Sequence, residues 1–199
     1  MARRHHKLQP SKPTRKHLHG LLRLIVARFD EDLSWLRKVD PAWHVNVVTK
    51  GIDVPNTGRE ASSYLWAMEN ICYEDDGWVC FVQGNPFEHF DDVLAALNDP
   101  PQYPLQFVPL VHRYEMTNAS GAPHDADLPV REFFERFIGP WPTTDDGTIA
   151  FGPGAQFVVP AAYIRGHTKD EIRELRKAID EHPEGAWAME RLWDPWVKF

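Results

Sequence analysis

Apolar and polar positions alternate between two regimes along this chain. Residues 21–27 (LLRLIVA) form a nearly continuous apolar run, the pattern of a buried strand. Asp30-Glu31-Asp32 closes it and opens a short helix through Leu33, Trp35 and Leu36, which Pro41 ends. Residues 44–49 (HVNVVT) predict a second strand, stopped by Gly51. Thr57-Gly58-Arg59-Glu60 then has the capping-box pattern, Thr57 capping a helix while Glu60 reaches back. Beyond it Ala61, Tyr64, Leu65, Met68, Ile71 and Cys72 fall on one helical stripe. Asp75-Asp76-Gly77 predicts a turn, and residues 78–82 (WVCFV) predict a central strand buried on both faces. Residues 88–97 read as a further helix with Val93, Leu94 and Leu97 inward. Strands alternating with helices predict an α/β fold, a mostly parallel central sheet flanked by helices. Ligands in such sheets bind at the carboxyl ends of the strands, which singles out residues 30–32, 50–60 and 83–89.

The second half is less periodic. Residues 100–104 and 118–128 read as loops, and 107–111 as a short strand. Pro129 suits the first turn of a helix running to Ile138. Residues 140–154 form a long loop of the kind that covers functional sites. Residues 155–159 (AQFVV) predict a strand. Thr168-Lys169-Asp170-Glu171 is a second capping box, opening a helix with Ile172, Leu175, Ala178 and Ile179 inward, broken at His182-Pro183. A last helix over 184–193 carries Ala186, Met189, Glu190 and Trp193 on one face.

Charge divides the chain. Residues 1–20 hold six Lys/Arg, four His and no acid, and predict a disordered basic tail able to touch an anionic partner. Residues 21–199, predicted as one α/β domain, carry a net charge of −13. So acidic a body argues against nucleic acid as a partner, because phosphate backbones are held by clustered Lys/Arg. No apolar run reaches the length of a membrane span. Cys72 and Cys80 make no disulfide framework, so a reducing, cytoplasmic location is expected. Eight Trp and eleven Phe serve equally as core or as the lining of a sugar or nucleotide site.

Three places carry candidate chemistry. In 50–60, Asn56 and Gly58 precede a helix whose free N–H groups, with the Arg59 guanidinium, suit an anion. The plainer reading is a capped helix whose Arg59 pairs with a surface acid. In 83–89, Gln83 and Gly84 follow the most buried strand, and Glu88 and His89 are possible metal ligands or an acid/base pair. His89 serves equally well as a structural side chain. Glu190 lies on an apolar helix face, where a carboxylate either acts as a base or pairs with Arg165 or Arg191. The nucleophile-elbow, Walker, dinucleotide, H-E-x-x-H and C-x-x-C motifs are missing.

The blocks VARFDEDLSWL (26–36), VTKG (48–51), PNTGREASSYL (55–65), VCFVQGNPFEH (79–89), GAQFVVPAAYIRG (154–166) and MERLW (189–193) resemble, in order and spacing, a domain family of fungi and bacteria that has no established activity. More distantly, the N-x-G-R-E turn resembles that of rhamnan-synthesis-type glycosyltransferases. The G-x-Q-F-x-V strand followed by I-R resembles the acceptor half of GT-A glycosyltransferases. That likeness implies a GT-A-like fold and an enzyme transferring a sugar from a nucleotide-sugar donor to a small-molecule or glycan acceptor. It implies Asp32, Asn56, Gly58 and Arg59 near the donor, and Gln83, Gly84, Gln156 and Trp193 lining the substrate site. Glu190, with His89, would be catalytic, and Glu88 and His89 would hold a divalent metal, Mn or Mg. The chain lacks the D-x-D such enzymes carry, having Gln83-Gly84-Asn85 there. The alternatives are a catalytically inactive carbohydrate- or nucleotide-binding module, and a metal-dependent hydrolase built on Glu88, His89 and Asp30 or Asp32.

Overall fold

A computed structural model describes residues 20–98, 106–122, 127–142 and 147–198. The expected basic tail lies outside these residues apart from Gly20, as does the expected loop at 100–104.

The apolar runs become the centre of a five-stranded mixed sheet. Its strands are β1 (Leu22–Arg28), β2 (Trp43–Thr49), β3 (Trp78–Gln83), β4 (Val108–Pro109) and β7 (Phe157–Pro160), in the order β2-β1-β3-β7-β4. β1 is parallel to both β2 and β3, with Leu24 level with Val45 and Cys80. β7 runs antiparallel to β3, placing Phe157 beside Phe81, and β4 is antiparallel to β7. The parallel core is as the sequence predicts; the antiparallel half is not. An all-buried run has the same pattern in either direction, so pattern cannot fix strand sense.

Side-chain alternation divides the sheet into two faces. Ile25, Ala27, Val79, Phe81, Phe157 and Val159 face a thick helical layer. It comprises α1 (Arg59–Ala67), α3 (Val130–Phe137), α5 (Lys169–Glu181) and α6 (Gly185–Lys198). Leu24, Val26, Cys80, Val82 and Val158 face a thinner layer of Trp35, Trp43 and α2 (Val93–Asn98). α1 continues through a wider π-type turn at Met68–Cys72, which keeps Met68 and Cys72 buried. The short α4 (Ala161–Ile164) follows β7.

Much of the aromatic content is structural. The Tyr64, Phe81, Phe157 and Trp193 rings pack with centroids 5.0–6.0 Å apart, and Phe107 and Trp196 extend the cluster. Part of the expected long loop is a strand: β6 (Ile149–Phe151) pairs antiparallel with β5 (Glu115–Thr117).

Candidate functional site at the carboxyl end of the sheet

Because β1, β2 and β3 are parallel, the segments that follow them emerge on one edge of the sheet. The chain passes from β2 over β1 to reach β3, so the order reverses between β1 and β3. The three segments touch there. The Lys50 amide donates to the Arg28 carbonyl at 2.8 Å. Gly84 lies against Glu31, whose Oε2 would sit 2.5 Å from a Cβ on Gly84. Trp35 Nε1 donates to the Gly84 carbonyl at 2.9 Å, anchoring this turn to the thin layer.

The reversed direction of β7 brings its beginning to the same edge. Gln83 Nε2 donates to the Gly154 carbonyl at 2.8 Å. Gln156, 1% exposed, spans the gap beside it: its Oε1 lies 3.4 Å from the Gln83 amide, and its Nε2 donates to the Pro86 carbonyl at 3.0 Å. The Gly154 amide donates to Glu190 Oε1 at 2.5 Å. Gly154 has φ +91°, and a Cβ there would lie 2.6 Å from that of His89. Gln83, His89, Gln156 and Glu190, from three separate stretches of the sequence, thus gather around the strap at Gly154. Glu190 also lies 3.6 Å from Arg191 Nη1, the ion pair anticipated as the plainer role of that carboxylate. Arg165 instead donates to the Asp75 carbonyl.

The start of α1 departs from the capping box the sequence suggests. Gly58, in the left-handed region at φ +59°, occupies the N-cap position, and no side chain caps the helix. Thr57 Oγ1 donates to Asp180 Oδ1 of α5 at 2.9 Å instead. The helix start is tight against its neighbours: a Cβ on Gly58 would lie 2.6 Å from Asp180 Oδ1 and 2.8 Å from Ser62 Cβ. The helix begins one residue late, pressed onto α5. Arg59 also has positive φ, +45°, and its guanidinium lies 4.2 Å over the Trp187 ring of α6.

Glu60, freed from capping, turns inward and is only 13% exposed. Burial pushes its carboxyl above the ordinary range, against the hydrogen bond from its own backbone amide and the charges of Arg59 and Lys50; Glu190 adds to the upward push. Lys50, whose Nζ donates to the Thr57 carbonyl at 2.5 Å, is lowered by burial, against the pull of Glu60 and Asp180. Lys50 and Glu60 are the members that sequence reasoning missed. Lys50 directly follows a strand facing the switch point, and that position was its only signal.

The other predicted residues are placed as follows. Asp32 is exposed and accepts from the Ser34 amide and hydroxyl, bonds that hold its carboxyl below the usual range. Asn56 is exposed on the turn before α1. Trp193, 2% exposed, lies inside the aromatic core, so its ring faces touch protein rather than a ligand. Glu88 and His89 are both exposed, and Asn85 Nδ2 donates to Glu88 Oε1 at 3.0 Å. Among the described residues, the group of three potential ligands with mutually close donor atoms is Asp91, Asp92 and His112, all exposed. Glu88, His89, Asp30 and Asp32 are not part of it.

In comparison with known proteins, the chain matches no family model, no curated protein and no solved structure. None of the described helices is long and apolar enough to cross a membrane.

Proposed function

We propose that this chain is a glycosyltransferase-like enzyme that transfers a sugar from a nucleotide-sugar donor at the carboxyl ends of β1, β2 and β3. One observation carries the reading. At the carboxyl end of β3, a mostly buried carboxylate, Glu190, is held by the Gly154 amide, on a strap that Gln83 and His89 also touch. Arg59 stacks over Trp187, about one turn before Glu190 on α6, and Lys50 donates to the Thr57 carbonyl just before α1. A fixed carboxylate at the strand ends, with two cations near the start of α1, suits proton removal coupled to departure of an anion.

In the proposed reaction Glu190 takes the proton of the acceptor hydroxyl. The freed oxygen bonds to the anomeric carbon as that carbon's bond to the donor diphosphate breaks. The leaving diphosphate takes the bonding electron pair and is stabilised by Arg59, half-exposed at the start of α1, and by Lys50. The likeness to GT-A enzymes also suggests a divalent metal. Glu88 and His89 form no three-ligand set among the described residues.

The test is turnover and thermal unfolding against a panel of nucleotide sugars, with and without Mn²⁺ or Mg²⁺. A cognate donor at ~100 times Kd raises stability by roughly 2.7 kcal/mol. Glu190→Gln is expected to keep that shift and to lose turnover by on the order of 100-fold or more. Arg59→Ala is expected to weaken the shift. Full turnover in Glu190→Gln removes the base role. A donor-induced shift without turnover in the native chain makes the protein a binding module.

A further inference from the structure

The two edges of the five-stranded sheet are finished differently. β4 closes one side with two residues, one of them Pro109, which has no amide proton to offer. β2 closes the other with seven residues and no Lys, Arg, Asp, Glu or Pro. The backbone groups of a strand alternate between its two sides, and the contacts of β2 sort them. The Lys50 amide, just past the strand, donates to Arg28 of β1, so positions 44, 46 and 48 also face β1. Positions 43, 45, 47 and 49 face outward. Both ends of that outward row are engaged. The Trp43 amide donates to the Asp40 carbonyl at 3.1 Å. The Thr49 amide donates to Asp53 Oδ2 at 2.7 Å, and the Thr49 carbonyl accepts from the Ile52 and Asp53 amides. Between them, the amides and carbonyls of Val45 and Val47 have no partner among the described residues.

We propose that β2 is a self-association edge, where two copies of this chain pair antiparallel through Val45 and Val47 about a twofold axis at Asn46. The proposal is independent of the transferase reading. The local sequence selects a second copy as the occupant. Val45-Asn46-Val47 is the same in both directions, so a second copy offers the same open window reversed. With the axis at Asn46, Val45 exchanges two hydrogen bonds with Val47 of the second copy, and Val47 does so with its Val45. An axis at Val45 would set Val47 against Trp43, whose amide is engaged. An axis at Val47 would set Val45 against Thr49, whose amide and carbonyl are both engaged. One register therefore fills the window.

The side chains agree with that register. Val45 and Val47 are exposed on the face that carries Trp43, so pairing brings four valines together there. On the other face Asn46 meets its own counterpart. Asn46 Oδ1 accepts from Arg23 Nη1 at 2.7 Å, which leaves its Nδ2 to donate across the axis. Arg23 brings no unpaired charge to the seam, because its Nη2 donates to Asp75 Oδ1 at 2.8 Å. Seven residues make a seam about 23 Å long. Such a seam is small beside the ~1,200 Å² or more that stable complexes bury, so the dimer is expected to be reversible. Antiparallel pairing points the carboxyl edges of the two sheets in opposite directions, placing the two Gly154 straps at opposite ends of the dimer.

The experiment is sedimentation of the full-length chain over a range of concentrations, joined to disulfide trapping. A concentration-dependent dimer is expected. Val47→Pro removes an outward amide that β1 does not use, so the fold is expected to hold while the dimer is lost. Should Val47→Pro fail to fold, Val45→Lys serves, placing a charge on the exposed edge. Asn46→Cys would face its counterpart at about 4.5 Å between Cα atoms, within disulfide reach, and is expected to cross-link under mild oxidation. Val45→Cys, diagonal to its counterpart, is expected not to. The native Cys72 and Cys80 are buried and add no background. A chain that stays monomeric up to about 1 mM overturns the proposal, including where it binds an extended peptide of another protein instead. A dimer that survives both Val47→Pro and Val45→Lys overturns it too, as does cross-linking through Val45→Cys rather than Asn46→Cys.

Discussion

Thr57-Gly58-Arg59-Glu60 and Thr168-Lys169-Asp170-Glu171 share one four-residue pattern, yet the two helix starts are built differently. At α5, Thr168 Oγ1 accepts from the Glu171 amide at 3.2 Å, and Glu171 Oε2 accepts from the Thr168 amide at 2.7 Å. The box is closed and exposed, and those bonds hold the Glu171 carboxyl below its ordinary range. At α1 the threonine bonds to another helix, a glycine takes the N-cap position, and the glutamate is buried with its carboxyl raised. The difference comes from surroundings. α5 starts in solvent, where local hydrogen bonds are the best available, whereas α1 starts against Asp180 and Ile179, which leave no room for a side chain at position 58. A start that abandons its local motif to bury a carboxylate is where function is to be sought, since local rules are broken at a cost.

The largest expected effect tests how tightly the start of α1 is packed. Gly58→Ala puts a Cβ into Asp180 and Ser62 and holds a non-glycine residue at φ +59°. It is expected to cost about 2–4 kcal/mol in urea unfolding. A loss below about 0.5 kcal/mol would mean that the start of α1 does not require glycine at this position. Next come the two threonines. Thr168→Ala removes a true cap and is expected to cost about 1 kcal/mol. Thr57→Ala removes one exposed side-chain bond and is expected to cost about half that. Equal losses would erase the distinction.

The smallest effect is a slope. Glu171, with its lowered carboxyl, contributes stability above the unfolded carboxylate range and loses it as pH falls through the folded value. Glu60, with its raised carboxyl, contributes below the unfolded range and loses it as pH rises through its folded value. Relative to the native chain, Glu171→Gln is therefore expected to become less stable as pH rises from acid to neutral. Glu60→Gln is expected to become more stable over its own, higher window. Thermal melts across pH check the two signs, and slopes of the same sign would contradict the assignment.

The strands and α5 were legible because their signals are local. An apolar run, a turn and a closed capping box need no knowledge of neighbours. The sense of β7 was not legible, since FVVP reads the same both ways. α6 runs to Lys198, past the end expected at Trp193, because Pro195 is accommodated within its last turn. β6 was hidden in a segment whose Gly and Pro content reads as loop, and its partner β5 in a stretch to which the pattern assigns no element. At the site, the three strand-end segments were legible from topology, and the gathering of Glu190, Gln83 and His89 at Gly154 only from β7. Glu60 was assigned to capping because Thr-x-x-Glu is a sufficient local explanation, and only the packing of α1 against α5 removes it. Gln156 and Trp193 were expected to face a ligand; their polar or aromatic character is used internally, as a bracket between strand ends and as core.

The pairing of β3 with β7 has a consequence for synthesis on the ribosome. β1, β2 and β3 emerge early and can assemble their parallel contacts as they leave the exit tunnel. The other edge of β3 has to wait until Phe157–Pro160 emerges. During that interval WVCFV offers an unpaired, wholly apolar strand edge, the kind of surface that nascent chains stick to one another with. The hazard in making this protein is therefore concentrated in one window of elongation. Slowing translation between β3 and β7 lengthens it, and a chaperone that covers exposed apolar strands is needed most in that window.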